Sequence, residues 1–255
     1  MEGKFVSVFG KKVYYVENGE GAPVVYVHGN WGSSVWWSKV MAVPGRRVIA
    51  LDMPNFGRSD SLDVADIGVY AEYLGGFIDA IGLENADIVG HSLGGAVVMA
   101  LIAARPEIAA SVMLVDSAAP SGLVTPESHY AAFERFATNR DALRAGLKGA
   151  APTITDMEFL DAITDDARLM ARHAFVGNAR ALEKKTPVQR LSAFKGPVLV
   201  VWGRKDVIVN EDMARETAEA FARGRLEILD EIGHSVMAES PALFSRLLID
   251  FLSAR

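Results

Sequence analysis

Residues 86–104 read ADIVGHSLGGAVVMALIAA, and the order of the parts in this stretch decides the fold. Positions 86–89 form a short apolar run of strand character, and positions 93–104 form an uncharged stretch of helical character. Between them stands Gly90-His91-Ser92-Leu93-Gly94, so a strand must turn into a helix across one serine. So tight a turn leaves no room for side chains two positions either side of the serine, which accounts for Gly90 and Gly94. The turn lifts the Ser92 hydroxyl above the carboxyl edge of a sheet and aims the next helix N-terminus at it. The amide of Leu93 then faces the position where an oxyanion would form.

The same alternation extends in both directions. Apolar runs at 24–27, 47–51, 86–89, 112–115, 197–202 and 226–229 are each closed by Gly, Asp or Pro. Runs apolar at nearly every position belong to strands covered on both faces, as in a parallel sheet. Residues 64–81, 93–104, 211–222 and 241–252 carry helical periodicity. Segments 5–9 and 13–17 flank Gly10-Lys11-Lys12 and read as an antiparallel hairpin. The pattern predicts an α/β fold, with an eight-stranded, mostly parallel sheet flanked by helices and joined by right-handed crossovers.

One interval breaks the rhythm. From residue 118 to 186 there are only helix-like segments, interrupted by Pro126, Gly146, Gly149, Pro152 and Gly177. Roughly 70 residues are too many for a loop in a compact domain, so a helical insertion sitting on the sheet is expected there. The core would then comprise 1–117 and 187–255. The nine Lys/Arg of the insertion balance nine Asp/Glu, so its charge points to no partner.

Composition excludes several function classes. Half of the 255 residues are hydrophobic and 23% are charged, the balance of a folded globular chain. With no cysteine, disulfides, thiolate nucleophiles and cysteine-ligated metal centres are absent. An excess of 32 acidic over 26 basic residues argues against nucleic acid and against anionic membrane surfaces as partners. The longest apolar run, 96–104, falls far short of the roughly 20 residues of a membrane span. The opening Met-Glu-Gly-Lys-Phe lacks the features of a secretory signal, so a cytoplasmic location is expected. Whether the chain is a monomer or a homodimer is left open.

A serine needs a base. Of the five histidines, His28 and His91 sit in strand-exit turns and read as buried packing residues, while His129 and His173 fall in the insertion. His234 follows the last strand in Glu231-Ile232-Gly233-His234-Ser235, at the sheet edge that also carries Ser92, and is the expected base. The acid that orients it is expected from Asp206, after the strand at 197–202, with Asp116 as the competing choice. The second oxyanion donor should come from His28-Gly29-Asn30-Trp31-Gly32, where Gly29 allows close approach and the amide of Asn30 donates. No metal and no cofactor are needed for this chemistry.

The order Ser92, Asp206, His234, together with the His28-Gly29 turn, resembles the α/β-hydrolase family. Asp52-Met53-Pro54-Asn55-Phe56-Gly57-Arg58-Ser59-Asp60 is similar to the family stretch D-x-P-G-x-G-x-S, with Asn55 in place of the common glycine. The resemblance implies eight strands with a helical cap inserted after the sixth, in keeping with 118–186. The string His28-Gly29-Asn30 is also similar to haloalkane dehalogenases and some lactonases, but dehalogenases and epoxide hydrolases use an aspartate nucleophile where this chain has Ser92. Hydrolysis of a small to medium, mostly apolar ester or lactone is therefore implied. Carbon–carbon bond hydrolysis of diketones, or a receptor-like member that slowly hydrolyses its ligand, are the alternatives. Candidate pocket walls are Trp31, Phe56, Leu93, Phe133, Phe136, Phe159, Phe175, Val207 and Val236.

Overall fold

The computed structural model describes residues 2–254. Its strands are β1 (Gly3–Val8), β2 (Lys11–Asn18), β3 (Ala22–Val27), β4 (Arg46–Leu51), β5 (Ala86–His91), β6 (Ala109–Val115), β7 (Val198–Gly203) and β8 (Gly224–Leu229). They form one sheet in the order β1-β2-β4-β3-β5-β6-β7-β8. The β1–β2 and β2–β4 pairs are antiparallel, and all others are parallel. Every residue of β5 and β7 is buried, as expected of strands with helices over both faces. The first hairpin turns at Phe9-Gly10, because Val8 pairs with Lys11. Both turn residues have positive φ, 49° and 79°, which matches the right-handed twist of the ribbon.

Register places the site. Val27 stands beside Gly90, His91 beside Val115, and Val115 beside Val201. The segments that leave β3, β5, β6 and β7 therefore emerge at one carboxyl edge, where ligands of open α/β sheets bind.

Helix α1 (Ile67–Ala80) begins three residues after the expected 64, because the Asp66 side chain caps it by accepting from the amides of Gly68 and Val69. Helix α2 (Leu93–Ala104) packs on β5 and against α1, and its burial explains the missing charges. Between β6 and β7 no strand forms; the chain runs through α3 (Tyr130–Phe136), α4 (Arg140–Ala150), α5 (Met157–Ala167), α6 (Ala174–Ala181) and α7 (Val188–Leu191). Asn139 and Asp156 cap α4 and α5. Gly146, Gly149 and Gly177 do not interrupt these helices but lie inside them. A Cβ on Gly146 would stand 2.6 Å from the ring of Phe136, so the glycine makes room for an aromatic neighbour. The chain ends with α8 (Glu211–Glu219), α9 (Val236–Glu239) and α10 (Pro241–Ser253). Among the described residues no helix is long and apolar enough to cross a membrane.

Candidate active site

Ser92 links β5 to α2 with φ 52° and ψ −118°, a strained conformation for a residue with a Cβ. Its amide donates to Val115 O at 2.9 Å, which ties the turn to the neighbouring strand. A Cβ at Gly90 would lie 2.8 Å from Gly94 O, and one at Gly94 would run into the carbonyls of Val27 and His28. Gly29 has the same role on the facing turn, since a Cβ there would come within 2.9 Å of Ser92 Cβ. The turn after β3 therefore passes directly over the serine.

His234 follows β8 and reaches back to this point. Its Nε2 lies 2.9 Å from Ser92 Oγ, and its Nδ1 lies 2.7 Å from Asp206 Oδ2. Asp206 Oδ1 accepts from the amides of Ile208 and Val209 at 2.7 and 3.1 Å, so both carboxylate oxygens are engaged. Burial alone would lower the His234 pKa, but the Asp206 carboxylate, with smaller shares from Asp116 and then Glu239, outweighs it and the net shift is upward. Asp116 is at the same edge with φ 45°, entirely buried. Its Oδ1 accepts from Gly203 N at 2.9 Å and its Oδ2 has no partner. Burial, and then the charge of Asp206, push Asp116 well above the usual carboxylate range and favour its protonated form.

The loop carrying His234 is held by groups that the spacing of chemistry-bearing residues does not flag. Glu239 Oε2 accepts from Gly233 N at 3.0 Å and from Thr153 N at 3.1 Å, and Oε1 accepts from Ser235 N at 2.9 Å. The Thr153 hydroxyl also bonds Glu239 Oε2. His234 N donates to Ala150 O, at the end of α4. His91 Nε2 lies 2.7 Å from His234 O; a carbonyl only accepts, so this nitrogen carries the proton. Burial, then repulsion from His234, hold His91 down to about 3, so it stays neutral. The available signal for Glu239 is Ser235 followed four positions later by an acid at the opening of a helix, one residue longer than a capping box.

A cavity of about 600 Å³ opens over the serine. Asn30, Trp31, Ser92 and His234 line its floor, while Phe133, Phe136, Leu147 and Leu182 come from the inserted helices. Among the described residues neither the amide of Asn30 nor that of Leu93 has an acceptor in the protein. Trp31, Phe133, Phe136 and Val207 of the expected walls line this cavity; Trp31 packs edge-on against Phe133 and Phe136 at 5.0 and 5.3 Å. Phe56, Phe159, Phe175, Val236 and the Leu93 side chain are not among its lining residues. Phe56 is turned inward against His28 and Tyr70 by the positive φ of Asn55 and Gly57. Phe159 lies under Lys39 Nζ, Phe175 is buried in α6, and Val236 and Leu93 begin helices that bury their first side chains. Among the described residues, no group of three or more His, Asp or Glu could hold a metal.

Residues 24–247 match the sequence profile of the alpha/beta hydrolase family, and the chain belongs to that family. It is 29% identical over 271 residues to the 2-hydroxy-6-oxo-6-phenylhexa-2,4-dienoate hydrolase of Comamonas testosteroni, covering 95% of this chain and 92% of that one. The solved structure of Est816, described as an N-acyl homoserine lactone degrading enzyme, is similar with a TM-score of 0.84 and 25% identity, over 97% of this chain and all of the other. An esterase from Exiguobacterium antarcticum shares the fold, with a TM-score of 0.87 at 20% identity, over 99% of this chain and all of that one.

Proposed function

We propose that this protein is a serine hydrolase of uncharged carboxylic esters and lactones, with Ser92 as nucleophile, His234 as base and Asp206 as the orienting acid. His234 Nε2 takes the hydroxyl proton as Ser92 Oγ attacks the acyl carbonyl. The amides of Asn30 and Leu93 hold the resulting oxyanion, each worth about 3–4 kcal/mol in comparable sites. His234 then gives its proton to the leaving alkoxide, and the acyl–Ser92 ester remains. Water, activated by the same imidazole, adds to that ester; the carboxylic acid leaves and the proton returns to Ser92. Residues 118–186 act as the cap that walls the acyl site.

The observation that carries the substrate class is the lining of the cavity. Among the described residues that surround it there is no Lys, Arg, Asp or Glu. A carboxylate moved into such surroundings without a cation loses several kcal/mol of solvation. The similarity to Est816 supports the same reading, since that protein is described as degrading an N-acyl homoserine lactone, a molecule whose amide and lactone groups carry no charge. A second reading, carbon–carbon bond hydrolysis, is favoured by the likeness to the Comamonas enzyme, whose name specifies a dienoate and therefore an anion.

Turnover of p-nitrophenyl acetate and butanoate, of neutral lactones, and of a dienoate substrate tests both readings. The expected result is faster turnover of the neutral substrates, abolished in Ser92→Ala with the fold intact. Undiminished activity in Ser92→Ala overturns the serine mechanism, and preference for the dienoate overturns the neutral-substrate reading.

A further inference from the structure

A buried chain of side-chain hydrogen bonds runs from the β4 exit to the floor of the cavity, and its direction can be worked out from its ends. Asn55 is the residue that replaces a common glycine, and it accepts the left-handed φ of 76° that the turn requires. Its Oδ1 accepts from Leu62 N at 2.6 Å, and a backbone amide can only donate, so the other end of the carboxamide is Nδ2. That Nδ2 donates to Val64 O and to Tyr70 Oη, both at 2.8 Å. The phenol of Tyr70 must then pass its own proton on, to Asn178 Oδ1 at 2.9 Å. Burial drives this phenol up to about 12, which keeps the proton in place.

Asn178 belongs to α6, within the inserted helices, and is fully buried. With its oxygen facing Tyr70, its Nδ2 faces Asn30 Oδ1 at 2.9 Å. The far end agrees independently: Trp31 N donates to the same Asn30 oxygen at 3.1 Å. The Asn30 oxygen is therefore occupied twice. Among the described residues the Nδ2 of Asn30 has no acceptor, and Asn30 lines the cavity together with Ser92 and His234.

We propose that the Asn30 carboxamide is a specificity-determining donor, locked by Asn178 so that its N–H reads an oxygen acceptor on the substrate close to the scissile carbonyl. The proposal rests on the serine-hydrolase reading of the same site. It defines a subclass of neutral substrates, namely acyl groups carrying an ether, keto or amide oxygen near the carbonyl that Ser92 attacks. Asn178 acts through Asn30 and is a positioning residue. The inserted helices thereby contribute to selectivity through one hydrogen bond as well as through the shape of the wall.

The test compares p-nitrophenyl methoxyacetate with p-nitrophenyl butanoate, whose acyl groups have the same length and differ by one oxygen for one methylene. The ratio of kcat/KM values for the pair cancels losses common to both, including those from a general loosening of the fold. Asn30→Ala, Asn178→Ala and the near-isosteric Asn178→Asp, which cannot donate to Asn30 when ionised, should each lower this ratio about 5–10-fold relative to the unaltered chain. An unchanged ratio in Asn30→Ala overturns the proposal, and this variant carries the test if the Asn178 variants fail to fold. A ratio that moves in Asn30→Ala but not in folded Asn178 variants overturns the positioning role. Ser92→Ala separates the two levels: retained turnover there defeats the hydrolase reading, whereas abolished turnover with an unmoved ratio defeats this inference alone.

Discussion

Glu239 grips the backbone on both sides of His234, its two carboxylate oxygens accepting from the amides of Gly233 and Ser235. The same carboxylate bonds Thr153, beyond the end of α4, so the imidazole loop and the inserted helices share one anchor. Glu239→Gln keeps the shape but puts an NH2 where one oxygen accepted, so at least one amide loses its partner. We expect kcat to fall about 10-fold or more with little change in KM, because ground-state binding does not depend on the angle of the imidazole. Glu239 also contributes to raising the His234 pKa. Activity is lost as pH falls through that pKa, since protonated imidazole cannot accept the serine proton. Removing the charge must therefore move the acidic limb of the kcat/KM profile to lower pH. A limb that stays put, or moves upward, contradicts this assignment.

Asp206 and Asp116 present the same functional group at the same sheet edge, yet their replacements should differ by orders of magnitude. Asp206 Oδ2 meets His234 Nδ1, and Asp206→Asn would force the wrong tautomer and lower kcat by about 10⁴-fold. Burial and the charge of Asp206 shift Asp116 towards its neutral form, and its one hydrogen bond, from Gly203 N, survives in an asparagine. Asp116→Asn should cost less than about 10-fold. Steady-state kinetics of the two variants decides it, and equal losses would show that the acid role is shared.

Gly149 lines the cavity from within α4, and a Cβ built on it meets no atom within 4 Å. Alanine there would raise stability by up to about 1 kcal/mol, the usual gain over glycine in a helix. It would also take up space in the cavity. A higher melting temperature together with weaker turnover of longer acyl chains is expected for Gly149→Ala. Unchanged chain-length preference would mean that this part of the cavity does not hold the acyl group.

Acid should destabilise the fold before most carboxylates titrate. His28 and His91 are buried, and burial holds both below their unfolded pKa of about 6.5. Below that pH the unfolded chain binds protons that the native state refuses, so stability falls as pH falls. His234, shifted upward, has the opposite linkage; its contribution is complete below about 6.5 and is lost only as pH rises through its native pKa. Between pH 6.5 and 5 the two depressed histidines act together against Asp116 alone, whose raised pKa gives the opposite slope, so the net loss is smaller than two histidines would cause. Urea midpoints should drop across this interval, and less steeply in His91→Gln; a flat dependence would contradict the neutral burial of the two histidines.

Much of this molecule was legible as sequence because its signals are local. The strand-turn-helix around Ser92 is a run of neighbouring residues whose glycines answer a steric demand, so both the fold and the candidate nucleophile could be read from one stretch. His234 and Asp206 could be singled out as neighbours of Ser92 because strands of a parallel sheet all end at one edge, which converts a position after a strand into a position near the serine. The hairpin turn and the start of α1 missed by one to three residues because side-chain capping and register, not periodicity, set such boundaries.

The chain sequence by itself determined the class of fold, the chain order of the candidate serine, acid and base, and the exclusion of thiol chemistry. Only the tertiary structure shows that Asp206, and not Asp116, meets the His234 imidazole, because two aspartates after adjacent strands differ in their distance to that ring and in their partners, neither of which is a property of spacing. It alone also shows that Trp31, Phe133, Phe136 and Val207 line the cavity over Ser92 while Phe56, Phe159, Phe175 and Val236 do not. The contacts of Glu239 with Thr153 and of Asn178 with Asn30 join segments 86 and 148 positions apart. A hydrogen bond is satisfied at about 3 Å in space whatever the separation along the chain, and no periodicity encodes that meeting.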